Sequence, residues 1–164
     1  MIEAAKSPTW TRIGGHLIRW SLSRRFRRIY VRLAEGSENF GVPAILCPNH
    51  SYYWDAAVMG FIAEDVLKLD CYPMVKSQSM RQYRILRRVG CFEMDASTPI
   101  EASKSIDYAA SLIRNQEHRC LLIFPQGDIR RRGKRPLEFL PGFAYVARRV
   151  GHVAVVPVAL HYEE

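Results

Sequence analysis

Long apolar runs, paired cysteines and acidic residues are all scarce in this sequence. Its 164 residues hold no stretch of about 18 uncharged apolar residues, so no segment reads as a bilayer-spanning helix. The N-terminus has no compact apolar core ahead of a small-residue cleavage site, so no secretory leader is expected. The expected location is therefore the cytoplasm or a cytoplasmic membrane face. The four cysteines, Cys47, Cys71, Cys91 and Cys120, form no CxxC pair, and each lies in or beside a short apolar run. They read as buried thiols in a reducing compartment. A metal site would need closer spacing and nearby histidines, so no metal is expected. No internal repeat and no low-complexity segment occurs.

The shortage of acid is local. Sixteen Asp and Glu face twenty-four Lys and Arg, a formal charge of +8. Most of the excess sits in residues 1–35, where Lys6, Arg12, Arg19, Arg24, Arg25, Arg27, Arg28 and Arg32 are set against Glu3 and Glu35 alone. A second knot is Arg130, Arg131, Arg132, Lys134 and Arg135. Such charge suits a polyanionic partner: nucleic acid, anionic lipid headgroups or a phosphorylated substrate. No recognised nucleic-acid module is present, and aromatics do not interleave with the basic clusters on one strand platform, so nucleic acid is not expected.

What is present suits one folded domain: hydrophobic residues make up 48% and charged residues 24%. Two apolar series run at helical spacing through residues 10–34: Trp10, Ile13, Leu17 and Trp20, and then Ile18, Leu22, Phe26, Ile29 and Leu33. With arginines filling the gaps, the segment reads as an amphipathic basic helix, either lying in a membrane interface or packed on its own domain. Gly14-Gly15 predicts a later start or a break. Beyond Gly41, short apolar runs alternate with helical segments. Strands are expected at 43–48, 70–75, 91–94, 120–124 and 153–160, and helices at 55–64, 79–89, 100–116 and 142–150. This alternation argues for an α/β fold, a single-domain mixed sheet covered by helices. The expected division is a membrane-docking segment at 1–40 and the main domain at 41–164.

Two segments invite chemistry. NHSYYWD, Asn49 to Asp55, follows a buried strand and opens a helix, the position where α/β folds set functional groups. Five residues separate His50 from Asp55, about 140° on a regular helix, so they share no helical face. If His50 lies in the loop and Asp55 in the first turn, the carboxylate can reach back to orient the imidazole as a base for an alcohol; by spacing alone the pair more often has a loop or capping role. Tyr52, Tyr53 and Trp54 either line a groove for an apolar chain or pack the loop. FPQGDIRRRGKR, Phe124 to Arg135, follows an apolar strand, and its arginines suit bidentate phosphate binding or a solvated basic loop. His16, His118, His152 and His161 have no partner at catalytic spacing.

Taken in order, four segments resemble the glycerolipid acyltransferase family of the lysophosphatidic acid acyltransferase type. NHSYYWD resembles the first block, a His and an Asp separated by four residues (HX4D). VKSQSMRQYRILRRVGCFEMD resembles the second, FPQGDIR the third, and VVPVAL the fourth. The resemblance spans about residues 43–160. It implies a glycerolipid-acyltransferase-like fold with His50 and Asp55 as the catalytic pair. Lys76, Phe124, Pro125, Gln126, Gly127, Asp128, Arg130 and Arg131 would then meet substrate. It also implies acyl-CoA or acyl-carrier protein as co-substrate with no cofactor, a lysolipid acceptor, and peripheral association with an anionic membrane surface on its cytoplasmic face.

The sequence departs from that pattern at the third block. Gln126 stands where Glu is usual, Asp128 where Thr is usual, and Ile129 displaces the Arg by one place. Ala96 also stands where an Arg commonly follows the second block. These changes bear on the acceptor more than on the His–Asp pair. Alternative expectations are a different lipid alcohol as acceptor, or a non-catalytic membrane-lipid-binding relative. The family's domain continues beyond its Val-Pro-Val strand, so the 41–164 domain is expected to be short at its C-terminus.

Overall fold

A computed structural model describes residues 1–35, 40–130 and 136–163. Five strands, β1 (Ala44–Pro48), β2 (Asp70–Lys76), β3 (Phe92–Met94), β4 (Arg119–Leu122) and β5 (Ala154–Val158), form one sheet in the order β3-β2-β4-β1-β5. Every pairing is parallel, which corrects the expectation of a mixed sheet. The reason lies in the connections. Helix α2 (Asp55–Phe61) carries β1 to β2, and α3 (Ser77–Gln82) with a 3-10 segment (Arg84–Val89) carries β2 to β3. Helix α4 (Pro99–Ile113) joins β3 to β4, and α5 (Gly142–Val150) joins β4 to β5. A crossover through a helix returns the chain in the same direction.

Alternation along the strands divides the core in two. Ala44, Leu46, Cys71, Cys120 and Leu122 face one layer, with Val58, Met59 and Ile62 from α2 and the turn that extends it. Ile45, Tyr72, Phe92 and Leu121 face the other, with Ile106, Ala109, Ala110 and Ile113 from α4 and Val146 from α5. The α4 residues recur at the i, i+3, i+4, i+7 spacing of one helical face, and Thr98 caps that helix by accepting from the Glu101 amide at 3.1 Å. Ala44, Ile45 and Leu46 are completely buried, as a central strand covered on both faces requires.

The N-terminal segment joins this architecture. The Glu93 amide of β3 donates to Ile2 O at 2.9 Å, and the Ala5 and Ser7 amides donate to Arg87 O and Arg88 O. Helix α1 spans Pro8–Arg25, shorter than the 10–34 that spacing predicts. Continuing it would stack Arg24, Arg25, Arg27 and Arg28 at i, i+3 and i+4, where like charges repel. Instead Phe26 is extended and turns its ring onto Trp54 and Tyr162. The helix also runs unbroken through Gly14-Gly15. A Cβ on Gly14 would stand 3.0 Å from Val89 Cγ1, so the missing side chain lets α1 close on the 3-10 segment. Inward, α1 sets Ile18 and Leu22 on the α2 layer. Among the described residues, no helix is long and apolar enough to cross a membrane.

All four cysteines are free thiols. Burial raises Cys47 to about 11 and Cys91 to about 12, so both stay protonated at neutral pH.

Candidate functional site

The connection from β1 leaves through α2 on one face of the sheet. That from its neighbour β4 leaves through α5 on the other. Where adjacent strands part company in this way, a crevice opens beyond their carboxyl ends. The two segments singled out by the sequence meet there: Asn49–Asp55 after β1 and Phe124–Arg130 after β4.

His50 Nδ1 lies 2.9 Å from Asp55 Oδ2. That oxygen also accepts from the Ser51 amide at 2.7 Å and the Tyr52 amide at 2.8 Å, while Oδ1 accepts from the Tyr162 hydroxyl at 2.6 Å. Asp55 is completely buried, whereas 18% of the His50 side chain remains exposed. Burial alone would push the Asp55 carboxyl upward. The bonds from His50, Tyr162 and the Tyr52 and Ser51 amides outweigh it and hold the group below its ordinary range. An ionised carboxylate only accepts, so the His50 proton sits on Nδ1 and Nε2 is left as the basic nitrogen. Phe124 stacks on the imidazole, with ring centroids 4.1 Å apart and planes 27° apart, and so covers one face of the ring.

The loop after β4 is tied to the same residue. Gln126 is 6% exposed, and its Oε1 accepts from the His50 amide at 2.6 Å. The Arg130 amide donates to His50 O at 2.9 Å. Gly127 has φ +72, a backbone conformation that favours glycine, and Leu140 Cδ1 lies over the place a Cβ would take. Pro125 is buried, and its carbonyl accepts from the Leu140 amide at 2.7 Å. Asp128 and Arg130 are exposed beside the pair. Lys76, at the end of β2, forms an ion pair with Asp128 and holds that carboxyl below its usual range.

The fold thus gathers the sequence candidates, but in different roles. Phe124, Pro125, Gln126 and Gly127 build the His50 loop from behind. Lys76, Asp128 and Arg130 stand at its open side. Arg131 lies outside the described residues, as does the rest of the basic knot to Arg135. Tyr52 and Trp54 pack the loop, against Tyr162 and Phe26, whereas Tyr53 is exposed. Among the described residues no group of three or more His, Cys, Asp or Glu side chains is placed to hold a metal ion.

Two contributors were not read for their roles, Asn49 at the head of the NHSYYWD motif and Tyr162 outside any motif. Asn49 ties β1 to the chain beyond β5: its Nδ2 donates to Leu160 O at 3.2 Å, and its Oδ1 accepts from Leu160 N at 2.6 Å. Tyr162 supplies the Asp55 hydroxyl contact. Its signal was the two-residue alternation Val156, Val158, Leu160, Tyr162, which puts all four on the layer that contains α2.

A family model described as Acyltransferase matches residues 28–161. A comparison with curated proteins finds no match.

Proposed function

The chain belongs to the acyltransferase family and is an acyltransferase; on that premise we propose that it moves a fatty acyl group from acyl-CoA or acyl-carrier protein to a hydroxyl of a lysophospholipid-like acceptor such as 1-acylglycerol-3-phosphate. The observation that carries the reading is the His50–Asp55 pair, with a buried, ionised carboxylate fixing the ring and Nε2 left to act. Nε2 takes the proton of the acceptor hydroxyl as its oxygen attacks the thioester carbonyl carbon. The tetrahedral intermediate collapses with cleavage of the carbon–sulfur bond, and the imidazolium returns its proton to the departing thiolate. Asp55 stabilises the imidazolium between these steps. The mechanism needs neither a metal nor an acyl-enzyme.

Lys76 and Arg130 supply positive charge at the open side of the pair, where an anionic headgroup would lie. Asp128 is paired with Lys76 in the free protein, so a phosphate would compete with that carboxylate.

Peripheral association with an anionic membrane, on its cytoplasmic face, belongs to the same proposal. Its support is the outward stripe of α1, where Trp10, Ile13, Leu17 and Trp20 are exposed beside Arg24, whose guanidinium lies over the Trp20 ring. Apolar and basic residues on one outward face fit a lipid interface.

Thiol release measured across acyl-CoA and acyl-carrier-protein donors, each with a panel of lysolipids and other lipid alcohols, tests this reading. Release that depends on a lysolipid supports it and names the acceptor. Release with a different lipid alcohol corrects the acceptor. A folded protein that releases no thiol with any pair overturns the transfer proposed.

A further inference from the structure

We infer that Tyr162 is a positioning residue for the His50–Asp55 pair, setting how strongly the buried carboxylate holds the imidazole. This rests on the reading of that pair as the acyl-transfer base. Tyr162 lies one residue past the segment matched by the family model, so the match assigns it nothing.

Both carboxylate oxygens of Asp55 are buried. Oδ2 serves His50 and two backbone amides, and Oδ1 is met by the Tyr162 hydroxyl at 2.6 Å. A buried carboxylate oxygen with no donor would be costly, and the least costly escape is protonation. A protonated Asp55 could no longer stabilise the imidazolium. The hydroxyl therefore keeps the carboxyl ionised and fixes its plane, so that Oδ2 stays aimed at Nδ1.

The tyrosine is itself held. Its ring lies 5.7 Å from that of Phe26 and meets the Tyr52 ring edge-on at 5.0 Å. Tyr52 in turn accepts from Arg25 at 2.6 Å. Phe26 and Arg25 also precede the matched segment, so the pair is braced from both flanks of it. Among the described residues, Lys76, Asp128 and Arg130 stand on the open side of His50, and the bonds that lower Asp55 come from His50, Tyr162 and the Tyr52 and Ser51 amides.

The test is Tyr162→Phe, which keeps the ring and removes only the hydroxyl, with two readouts beside wild type. The first needs no substrate: the Asp55 carboxyl carbon is followed by NMR as pH is varied. The expected result is a titration displaced to higher pH in the variant, which still unfolds in one cooperative thermal transition at a somewhat lower midpoint. The second is the pH profile of turnover. There kcat is expected to fall about ten- to a hundredfold, the rate equivalent of one charged hydrogen bond, with KM for the acceptor unchanged and the acid limb displaced. An Asp55 titration identical in the two proteins overturns the inference, whether or not either protein is active. A fall in kcat with an unmoved acid limb also overturns it and leaves Tyr162 a packing residue. A wild type inactive with every donor, whose Asp55 titration still responds to Tyr162→Phe, rejects the transfer reading while the positioning role stands.

Discussion

Asp55 is a buried carboxylate surrounded by donors, and one of them, the His50 side chain, stays 18% exposed. Asp55→Asn should keep the shape while offering an amide that can donate to the ring, favouring the wrong tautomer. Turnover is expected to fall on the order of 10⁴-fold, as in other His–Asp pairs. The same substitution tests the pH dependence of stability. The folded-state carboxyl lies below its ordinary range, so its contribution is fully present above the unfolded-state value and is lost as pH falls through the folded one. Urea unfolding of Asp55→Asn against pH should therefore show a flatter acid side than wild type. Gln126→Leu should leave the His50 amide without its acceptor, at a cost of about 1–3 kcal/mol in the same assay. His50 and Asp55 were legible through the resemblance of NHSYYWD to the family's first block, since their spacing alone is a weak signal; the strand, short loop and helix start explain why the loop residue comes within reach of the first turn. The inward role of Gln126 was not, because nothing in Phe-Pro-Gln-Gly says which way the amide turns.

Helix α1 carries two apolar stripes. Gly14, Ile18 and Leu22 close on the domain, and Trp10, Ile13, Leu17 and Trp20 face outward. The sequence showed both series but left open whether such a helix packs or docks. The structure packs one stripe and exposes the other, so packing does not use up the apolar surface. Replacing Arg24, Arg27 and Arg28 with Gln should weaken binding to anionic vesicles by about 1 kcal/mol per charge, measured by sedimentation. Arg25 is left in place because it donates to the Tyr52 hydroxyl. Unchanged sedimentation would remove the helix from the membrane role. The end of α1 was misread because apolar spacing continues through Ile29 and Leu33. Spacing does not show where a helix stops: the chain leaves it at Phe26, whose ring packs on Trp54 and Tyr162, beside arginines whose mutual repulsion disfavours further turns.

On the scale of the molecule, the order of strands and helices was legible because each strand is a short apolar run and each helix has its own periodicity. The parallel direction follows from helical crossovers. Which strands are neighbours was not legible, since β4 inserts between β1 and β2 through contacts distant in sequence. That insertion brings the β1 and β4 loops together. The whole chain carries +8, concentrated at its N-terminus. Vesicle binding should therefore fall as salt shortens the screening length from about 10 Å at 0.1 M to about 3 Å at 1 M. The part carried by Trp10, Leu17 and Trp20 should persist, and complete loss would assign docking to charge alone.

The central claim is that His50, held by Asp55, is the base for acyl transfer. The most direct measurement is acceptor-dependent thiol release by His50→Ala beside wild type, with folding checked by urea unfolding. The expected result is a folded variant whose release does not exceed that of donor and acceptor without protein. Near-normal turnover in that variant would contradict it.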